Sequence, residues 1–453
     1  MQNTIKKFSQ AIAGLSIFFI AAQCFAQNSA QIPAPPQAKP VALVGGTVHP
    51  VSGPAIENAT ILFEQGKITA IGTNVTVPAD AVRHDVSGKH VFPSMIELAS
   101  SLGLTEIGSV SATRDYAELG DINPNVRAEV AINPDSELLP VTRAAGVGLA
   151  VSLPSSGLIS GKGALIQLDG WTWEDMTKKA PVCMVLNWPR MTNFTSRFFR
   201  VSAEEQNRRR KEQLKTLSEA FREARAYKKA KEAAGQNGVP FHATDARWEA
   251  MIPVLDGELP LWVNANEIKQ ILAAVDWAMR ENVKIVIGGG ADAHMVTDLL
   301  KSKDIAVIVG GTLSLPSRRD EGFDTPFTLP LKLHQAGVKF AIAGGGSWNV
   351  RNLQHHAAKA ASYGLPVEEA IKSITLYPAQ ILGVDDQFGS LETGKNASLI
   401  VTDGNPLELM THVDMLFLDG REIDLKNKHK SLYEKYREKY IQRGHVKPSG
   451  TEE

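Results

Sequence analysis

Few residues of this chain combine a type and a spacing suited to chemistry. Asp292 and His294 lie two residues apart just after a short apolar run, and a carboxylate beside an imidazole can act as a general acid and base. Together with Glu97, from an earlier apolar run, they are candidate catalytic residues if the fold brings all three into one dry pocket. A simpler alternative stays open, because positions two apart on a helix point in different directions. Asp292 then caps a helix, and His294 lies on its first turn.

The first 40 residues predict export. Lys6 and Lys7 precede an apolar run over residues 11–22, and small residues lead to Ala26. This pattern is typical of a secretory signal peptide at residues 1–26, with an uncleaved anchor as the alternative. Residues 27–40 are rich in Pro, Ala and Gln and predict a flexible linker. We expect a periplasmic or secreted protein, soluble after signal cleavage, without stable membrane insertion.

The charge and the cysteine content further narrow the classes of protein to which this chain can belong. Removal of residues 1–26 takes away two lysines and no acid, so the formal charge changes from -1 to -3 and Cys183 remains the only cysteine. A single thiol forms no internal disulfide, and the apolar neighbours of Cys183 favour an inert buried thiol over a catalytic one. A nearly neutral chain gives no support for a nucleic-acid surface, so we expect no nucleic-acid partner.

Both ends of the mature chain carry β-strand patterns. Residues 41–90 contain short alternating apolar runs separated by glycine-containing turns, and residues 389–425 contain two more such runs. Neither end has enough strands to bury a core alone. We therefore expect one small composite β-sandwich formed from both ends of the chain.

Between these ends, strand-like runs alternate with helical segments. Eight such runs fall within residues 91–388, and this alternation predicts an α/β fold with a parallel sheet, closed as a (β/α)8 TIM-like barrel. Residues 202–236 predict a solvated helical insertion, and residues 426–453 a charged C-terminal helix and tail. The alternative is an open doubly wound sheet, although no glycine-rich phosphate-binding motif follows the first strand.

Two motifs resemble the amidohydrolase superfamily. Residues 91–103 are similar to the first barrel strand of that family, usually Pro-Gly-(Leu/Phe)-Ile-Asp-x-His-x-His-Leu-Gly. Residues 389–401 resemble the segment that returns from the last barrel helix into the sandwich, usually Gly-Ser-(Leu/Ile)-Glu-x-Gly-Lys-x-Ala-Asp-(Leu/Ile)-Val. Residues 132–138, 143–147 and 154–161 resemble an exported subgroup, in the imidazolonepropionase-like or dihydroorotase-like branch.

The resemblance fails at the metal ligands. The paired histidines of the first strand correspond to Ala99 and Ser101, and the histidine of the fifth strand corresponds to Asn264. The sixth strand has Gly288 near its end instead of histidine, and the family's Thr-Asp after the eighth strand is replaced by the glycine run around Gly344-Gly345. Methyl, hydroxyl and amide groups do not replace imidazole or carboxylate ligands of a transition metal. We therefore expect no metal or other cofactor, with zinc only if unrecognised residues rebuild a site.

The loops at the strand ends supply candidate substrate-binding residues. An active site of this fold lies at the C-terminal ends of the barrel strands. The candidates there are Ser101, Asn264, Asn266, Trp348, Asn349 and Arg351. Trp171 and Trp173, after the third predicted strand, are expected at the same mouth.

Two functions stay open. The resemblance implies a divergent hydrolase of carbon-nitrogen bonds other than peptide bonds, without the usual metal centre. The alternative is a catalytically inactive member that binds a small-molecule ligand or pairs with an active paralogue. A homo-oligomer is also open, and the C-terminal helix is expected on the domain surface or on a neighbour.

Overall fold

A computed structural model describes residues 32–195, 201–234 and 243–446. The predicted signal peptide at residues 1–26, and the linker up to residue 31, lie outside these residues. The strands are β1 Val41–Val48, β2 Ile56–Glu64, β3 Lys67–Gly72, β4 Val82–Asp85, β5 His90–Pro93, β6 Met95–Ser100, β7 Val147–Ser152, β8 Ile159–Gln167, β9 Thr177–Asn187, β10 Leu261–Ala265, β11 Ile285–Gly289, β12 Val307–Gly310, β13 Phe340–Ala343, β14 Leu399–Thr402, β15 Val413–Leu418 and β16 Arg421–Glu422. The helices are α1 Leu138–Arg143, α2 Trp173–Met176, α3 Ala203–Ala233, α4 Ala246–Leu255, α5 Ile268–Glu281, α6 Thr297–Ser302, α7 Thr325–Ala336, α8 Leu353–Ser362, α9 Val367–Lys372, α10 Leu376–Leu382 and α11 Lys428–Gln442.

The first sheet combines strands from both ends of the chain. Its order is β16-β15-β14-β5-β1-β2-β3, and β4 pairs with β1. The junction between the two ends is the antiparallel pair of β14 with β5. Phe63 of β2 and Phe417 of β15 contact edge to face, with ring centroids 5.1 Å apart, so the two ends of the sheet share one core. The predicted composite β-domain is confirmed.

The second sheet is the barrel. Its order is β13-β12-β11-β10-β9-β8-β7-β6, the eight predicted runs in chain order. The seam between β13 and β6 is joined by a bridge between Ser100 and Gly346. Lower down, the Ile96 N–H donates to Ile374 O at 2.8 Å, so the segment before α10 fills the gap between the two strands. The predicted eight-stranded barrel is confirmed.

One barrel strand runs the opposite way. β8 is antiparallel to both β7 and β9, whereas every other neighbouring pair in the order is parallel. The prediction of a fully parallel sheet is therefore wrong at β8. The connections on both sides of β8 are too short to hold a crossover helix, and only a hairpin return fits such a length.

The first predicted barrel strand is two strands. The barrel was expected to begin at residue 91 with the first strand of the family motif, but β5 ends at Pro93 and β6 begins at Met95. β5 belongs to the first sheet and β6 to the second. Ser94 therefore marks the passage between the two sheets, three residues beyond the predicted boundary.

The insertion helix α3 is less solvated than predicted. Ser202 caps it by accepting a hydrogen bond from the Glu205 N–H. One face is buried, and Phe221 packs edge to face against Trp277 of α5 at 4.9 Å. The other face carries arginine-glutamate pairs such as Arg208 with Glu205. The helix therefore covers the barrel instead of extending into solvent.

The described part of the predicted linker is bound to the fold. The Ala34 N–H donates to Asp169 at 3.1 Å, and Ala34 O accepts from Arg421 at 3.0 Å. Gln37 bonds Phe63 O and the Gly66 N–H. The expectation of a flexible tether is wrong for this stretch, because its backbone has partners on both sheets.

Across the described ranges, no helix has the length and apolar content that a bilayer span requires.

Candidate functional site

The inside of the barrel is filled by alternating strand residues. Side chains such as Leu98, Val151, Val185 and Ile308 pack together there. Cys183 lies in the same cluster, and burial raises the pKa of its thiol to about 12. The thiol therefore stays protonated at neutral pH and is not an activated nucleophile.

Glu97 closes the seam of the barrel. The side chain is fully buried, and its two carboxyl oxygens accept from the Ala99 and Gly344 N–H groups, both at 2.7 Å. A third, longer bond comes from the Gly345 N–H at 3.5 Å. Burial raises the pKa of Glu97, and these backbone donors counteract that effect. Its partners belong to β6 and to the segment after β13, so Glu97 is tied to the barrel seam.

A chain of neutral hydrogen bonds crosses the barrel mouth. The Trp262 indole N–H donates to Asn264 Oδ1 at 2.9 Å, and Asn264 Nδ2 donates to Asn187 Oδ1 at 2.7 Å. Asn187 Nδ2 then donates to Gly157 O at 2.8 Å and to Ser160 Oγ at 2.9 Å. An indole N–H only donates and a carbonyl only accepts, so the two ends of this chain fix both amide orientations. We call these four side chains, Trp262, Asn264, Asn187 and Ser160, the amide relay.

The amide relay explains why the sixth strand has glycine where the family has histidine. Gly288 is the register partner of Asn264, and a Cβ atom there would lie 2.2 Å from Trp262 Nε1 and 2.8 Å from Asn264 Oδ1. The indole therefore occupies the space that a side chain on Gly288 would need. Ala99, Ser101, Asn264, Gly288 and the glycines after β13 do not fit a transition metal, because they offer no imidazole or carboxylate donor.

Asp292 is held in a different set of contacts. Arg318 donates to both of its carboxyl oxygens, at 2.8 and 2.6 Å, and the Ile268 N–H donates to Oδ2 at 2.9 Å. Burial raises the pKa of Asp292, but the Arg318 guanidinium and the Ile268 N–H outweigh it, so the net pKa is lowered. Asp292 therefore remains an ionised structural anchor for α5. Asp292 was expected to cap the helix that follows it. That expectation is wrong, since its side chain accepts from the N–H of Ile268, the first residue of α5.

The three catalytic candidates do not form one cluster. Glu97 and Asp292 share no hydrogen-bond partner in the described residues. His294 lies in a short 3-10 turn beside Asp292, and burial, aided by Lys332, lowers its pKa. Its Nδ1 has no hydrogen-bond partner among the described residues. The carboxylate of Asp292 is bonded to Arg318 and to the Ile268 N–H, and not to His294.

The substrate-binding candidates divide into two groups. Ser101 and Asn264 are half-buried at the strand ends, and the exposed Asn266 lies against β11, with its Oδ1 next to Gly289. Trp348 and Asn349 are exposed and Arg351 is half-buried on the loop after β13. These three residues flank the mouth without joining the amide relay.

Trp171 and Trp173 lie at the wrong end for a site. They follow β8, and because β8 is antiparallel its last residues sit where β7 begins. The Leu168 N–H donates to Gly148 O, at the start of β7, which fixes this placement. The prediction that these tryptophans share the mouth is wrong.

The sequence reasoning missed four residues of this region: Trp262, Asn187, Ser160 and Arg318. Asn187 ends β9 beside Asn264, so two adjacent strands that both end in asparagine were a readable signal. Arg318 lies in a long loop, and no spacing connects it to Asp292.

A cavity of about 1240 Å3 also opens at the opposite end of the barrel, near Lys284, Phe340 and Tyr377. We place the candidate site at the mouth instead, because active sites of this fold lie at the C-terminal strand ends.

Comparisons with known proteins agree with this architecture. The model of the amidohydrolase family matches residues 202–424. Amidohydrolase tasK of Hapsidospora irregularis is 22% identical over 416 residues, covering 83% of this chain and 42% of that protein. A putative N-acetylgalactosamine-6-phosphate deacetylase of Escherichia coli K12 is 38% identical over 58 residues, covering 13% of this chain and 32% of that protein. The chain thus spans less than half the length of these curated relatives.

A solved structure covers more of the chain. The crystal structure of an amidohydrolase from Thermotoga maritima MSB8 superposes with a TM-score of 0.75 and 27% identity, covering 85% of this chain and 99% of that one. By its sequence and by its fold, the chain belongs to the amidohydrolase superfamily.

Proposed function

We propose that this protein is a divergent amidohydrolase-superfamily member that binds a small neutral ligand at the barrel mouth without the metal centre of the family. The observation that carries the proposal is the Trp262 indole, which fills the space beside Gly288. A ligand histidine at residue 288 has no room there. The other family positions hold Ala99, Ser101 and Asn264, whose side chains are poor metal donors.

The chemistry of the mouth indicates the class of ligand. Ala99, Ser101, Asn187 and Asn264 are all partly exposed, so solvent reaches this part of the barrel. Asn264 uses one Nδ2 hydrogen and one Oδ1 lone pair in the amide relay, which leaves a second of each. An amide or urea group has the complementary donor and acceptor. We therefore expect a neutral, amide-bearing small molecule.

A second candidate is hydrolysis of carbon-nitrogen bonds other than peptide bonds. The relatives named amidohydrolases favour it, above all the Thermotoga maritima structure, whose full length is matched. Such a reaction needs a nucleophile and a stabiliser for the developing oxyanion. It would therefore require residues outside Glu97, Asp292 and His294, and zinc only if those residues rebuild a site.

The first test is metal content. The chain from residue 27 is purified without chelator or affinity metal, and zinc, manganese, iron and nickel are measured per chain. We expect far less than one ion per chain, and no thermal stabilisation when zinc is added. One or two tightly held ions per chain would overturn the proposal and support the hydrolase candidate.

The second test is ligand binding. Small amides, ureas and cyclic imides are screened by thermal shift, with amine or ammonia release followed in the same samples. We expect stabilisation without product release, lost in Asn264→Leu and retained in Asn349→Leu, which makes the same change at an exposed amide. Stabilisation that survives Asn264→Leu, or none with any compound, would refute ligand binding at the amide relay.

Export and partnership belong to the same proposal. We propose that the chain is exported, on the pattern of residues 1–26, and acts in the periplasm or outside the cell. A protein that binds without reacting can also serve as a homo-oligomer or as the partner of an active paralogue. Cell fractionation of the full chain tests the first statement, because a cytoplasmic location would contradict it.

A further inference from the structure

The C-terminal helix α11 is not used by the barrel or its mouth. It begins after Asn427, whose side chain caps it by accepting from the Lys430 N–H at 3.1 Å. None of its fifteen residues is buried. Only Arg437 and Ile441 are half-buried, on the side that faces the rest of the fold near α1. A helix of this length that buries nothing leaves most of its surface exposed.

An aromatic stripe lies along one exposed side of α11, beside the face that meets the fold. At about 100° per residue, Leu432, Tyr433, Tyr436 and Tyr440 fall within an arc of about 100°. Their exposed fractions are 41%, 64%, 50% and 46%. Three of the chain's seven tyrosines are therefore gathered on one exposed helix face. We call these four residues the tyrosine stripe.

The charges around the tyrosine stripe are arranged by sign. By the same rotation, Lys428 and Lys439 border the side of it that points away from the fold, and Lys430 and the half-buried Arg437 border the side next to the fold. The two acids, Glu434 and Glu438, lie on the opposite face. Residues 426–446 hold seven Lys or Arg against these two acids, a formal charge of +5, so the rest of the chain carries -6. A segment with a net positive charge thus adjoins an exposed apolar stripe.

We propose that α11 is a docking helix for the surface of an anionic lipid bilayer. Tyrosine places its ring at the boundary of the acyl chains and its hydroxyl at the headgroups. Flanking lysines then meet the lipid phosphates, and the acids on the far face stay in water. A second copy of the chain is disfavoured as the occupant, because two stripes would bring two +5 segments together. A nucleic-acid surface needs its basic residues at the centre of the contact, where α11 has aromatic rings.

The test is co-sedimentation of the chain from residue 27 with vesicles. Vesicles of phosphatidylcholine alone are compared with vesicles that contain phosphatidylglycerol. We expect at least tenfold tighter binding to the anionic vesicles, lost at about 1 M salt, where the screening length falls to about 3 Å. Each basic side chain at such a surface strengthens binding roughly fivefold, so Lys428→Gln with Lys439→Gln should weaken it roughly twentyfold.

Matched triple variants separate the two faces. Tyr433→Ser, Tyr436→Ser and Tyr440→Ser together should weaken binding at least tenfold. Glu434→Ser, Glu438→Ser and Gln442→Ser, the same number of changes on the opposite face, should not weaken it. Equal binding to neutral vesicles, no vesicle binding, or equal loss in both triple variants would overturn the proposal. Binding of a duplex oligonucleotide without vesicle binding would overturn it in favour of a nucleic acid.

Discussion

Substitution of Gly288 by alanine tests the arrangement at the barrel mouth. The added Cβ would lie 2.2 Å from Trp262 Nε1 and 2.8 Å from Trp262 Cε2, well inside van der Waals contact. The indole must then move, and its hydrogen bond to Asn264 is lost or lengthened. Gly288 does not have a positive φ, so the change reports on packing and not on backbone strain.

The expected cost follows from two contributions. Overpacking a filled core costs about 1–3 kcal/mol, and a lost hydrogen bond adds about 0.5–1.5 kcal/mol. We expect Gly288→Ala to lower the free energy of unfolding by about 2–4 kcal/mol, measured as a lower urea midpoint with an unchanged slope. Gly310→Ala is the matched control, because Gly310 ends the next strand and a Cβ there meets no atom within 4 Å.

A second variant makes the prediction specific to the indole. In a Trp262→Ala background the indole is gone and only Asn264 Oδ1, 2.8 Å from the added Cβ, must move, so Gly288→Ala should cost less there. The two changes should therefore be strongly non-additive in a double-mutant cycle. If Gly288→Ala and Gly310→Ala have the same effect on the urea midpoint, the indole does not occupy that space, and the argument against a metal ligand at residue 288 fails.

Two further predictions concern buried ionisable side chains. Arg318→Met should lower the free energy of unfolding by about 1–3 kcal/mol, because it leaves the Asp292 carboxylate, only 2% exposed, without its counter-charge. Asp292→Asn, added to the Arg318→Met variant, should restore most of this loss. If Arg318→Met lowers the free energy of unfolding no more than Arg319→Met does, the pairing of Arg318 with Asp292 is contradicted. Burial, aided by His355, lowers the pKa of His356 to about 4. Between pH 6.5 and 4, therefore, the imidazole of His356 binds a proton in the unfolded chain but not in the folded chain. The free energy of unfolding should therefore fall as the pH drops through this window, by up to about 3 kcal/mol from this residue. The urea midpoint of His356→Gln should decline less steeply with falling pH than that of the unchanged protein. Identical pH slopes for the two proteins would refute this assignment.

The fold could be predicted in outline because its signals are local. Alternating apolar runs and their spacing gave eight barrel strands and a composite β-domain. The direction of β8 could not be predicted in the same way. An apolar run of a given length is equally compatible with either direction, and the hairpin connections around it were not recognised. That single error moved Trp171 and Trp173 to the wrong end of the barrel.

The residue types at the candidate site can be read from the sequence, but the contacts between them cannot. Ala99, Ser101 and Asn264 stand where the resemblance expects histidines, and this substitution is visible residue by residue. Within the amide relay, the hydrogen bond between Asn187 and Asn264 spans 77 positions of the chain, with no motif to connect them. Asp292 and Glu97 were likewise named from their types, but their partners, Arg318 for Asp292 and the Gly344 N–H for Glu97, could not be predicted.

The sequence by itself determined which groups this protein has at the strand ends: amides, a hydroxyl, a methyl and glycines instead of metal ligands. It also determined the amphipathic order of α11, since the rotation of a helix follows from its spacing alone. Only the tertiary structure decided that Trp262 fills the space beside Gly288, that Arg318 neutralises Asp292, and that the tyrosine stripe is exposed. Each of these depends on atoms brought together from distant parts of the chain, and close packing fixes such contacts where local propensity does not.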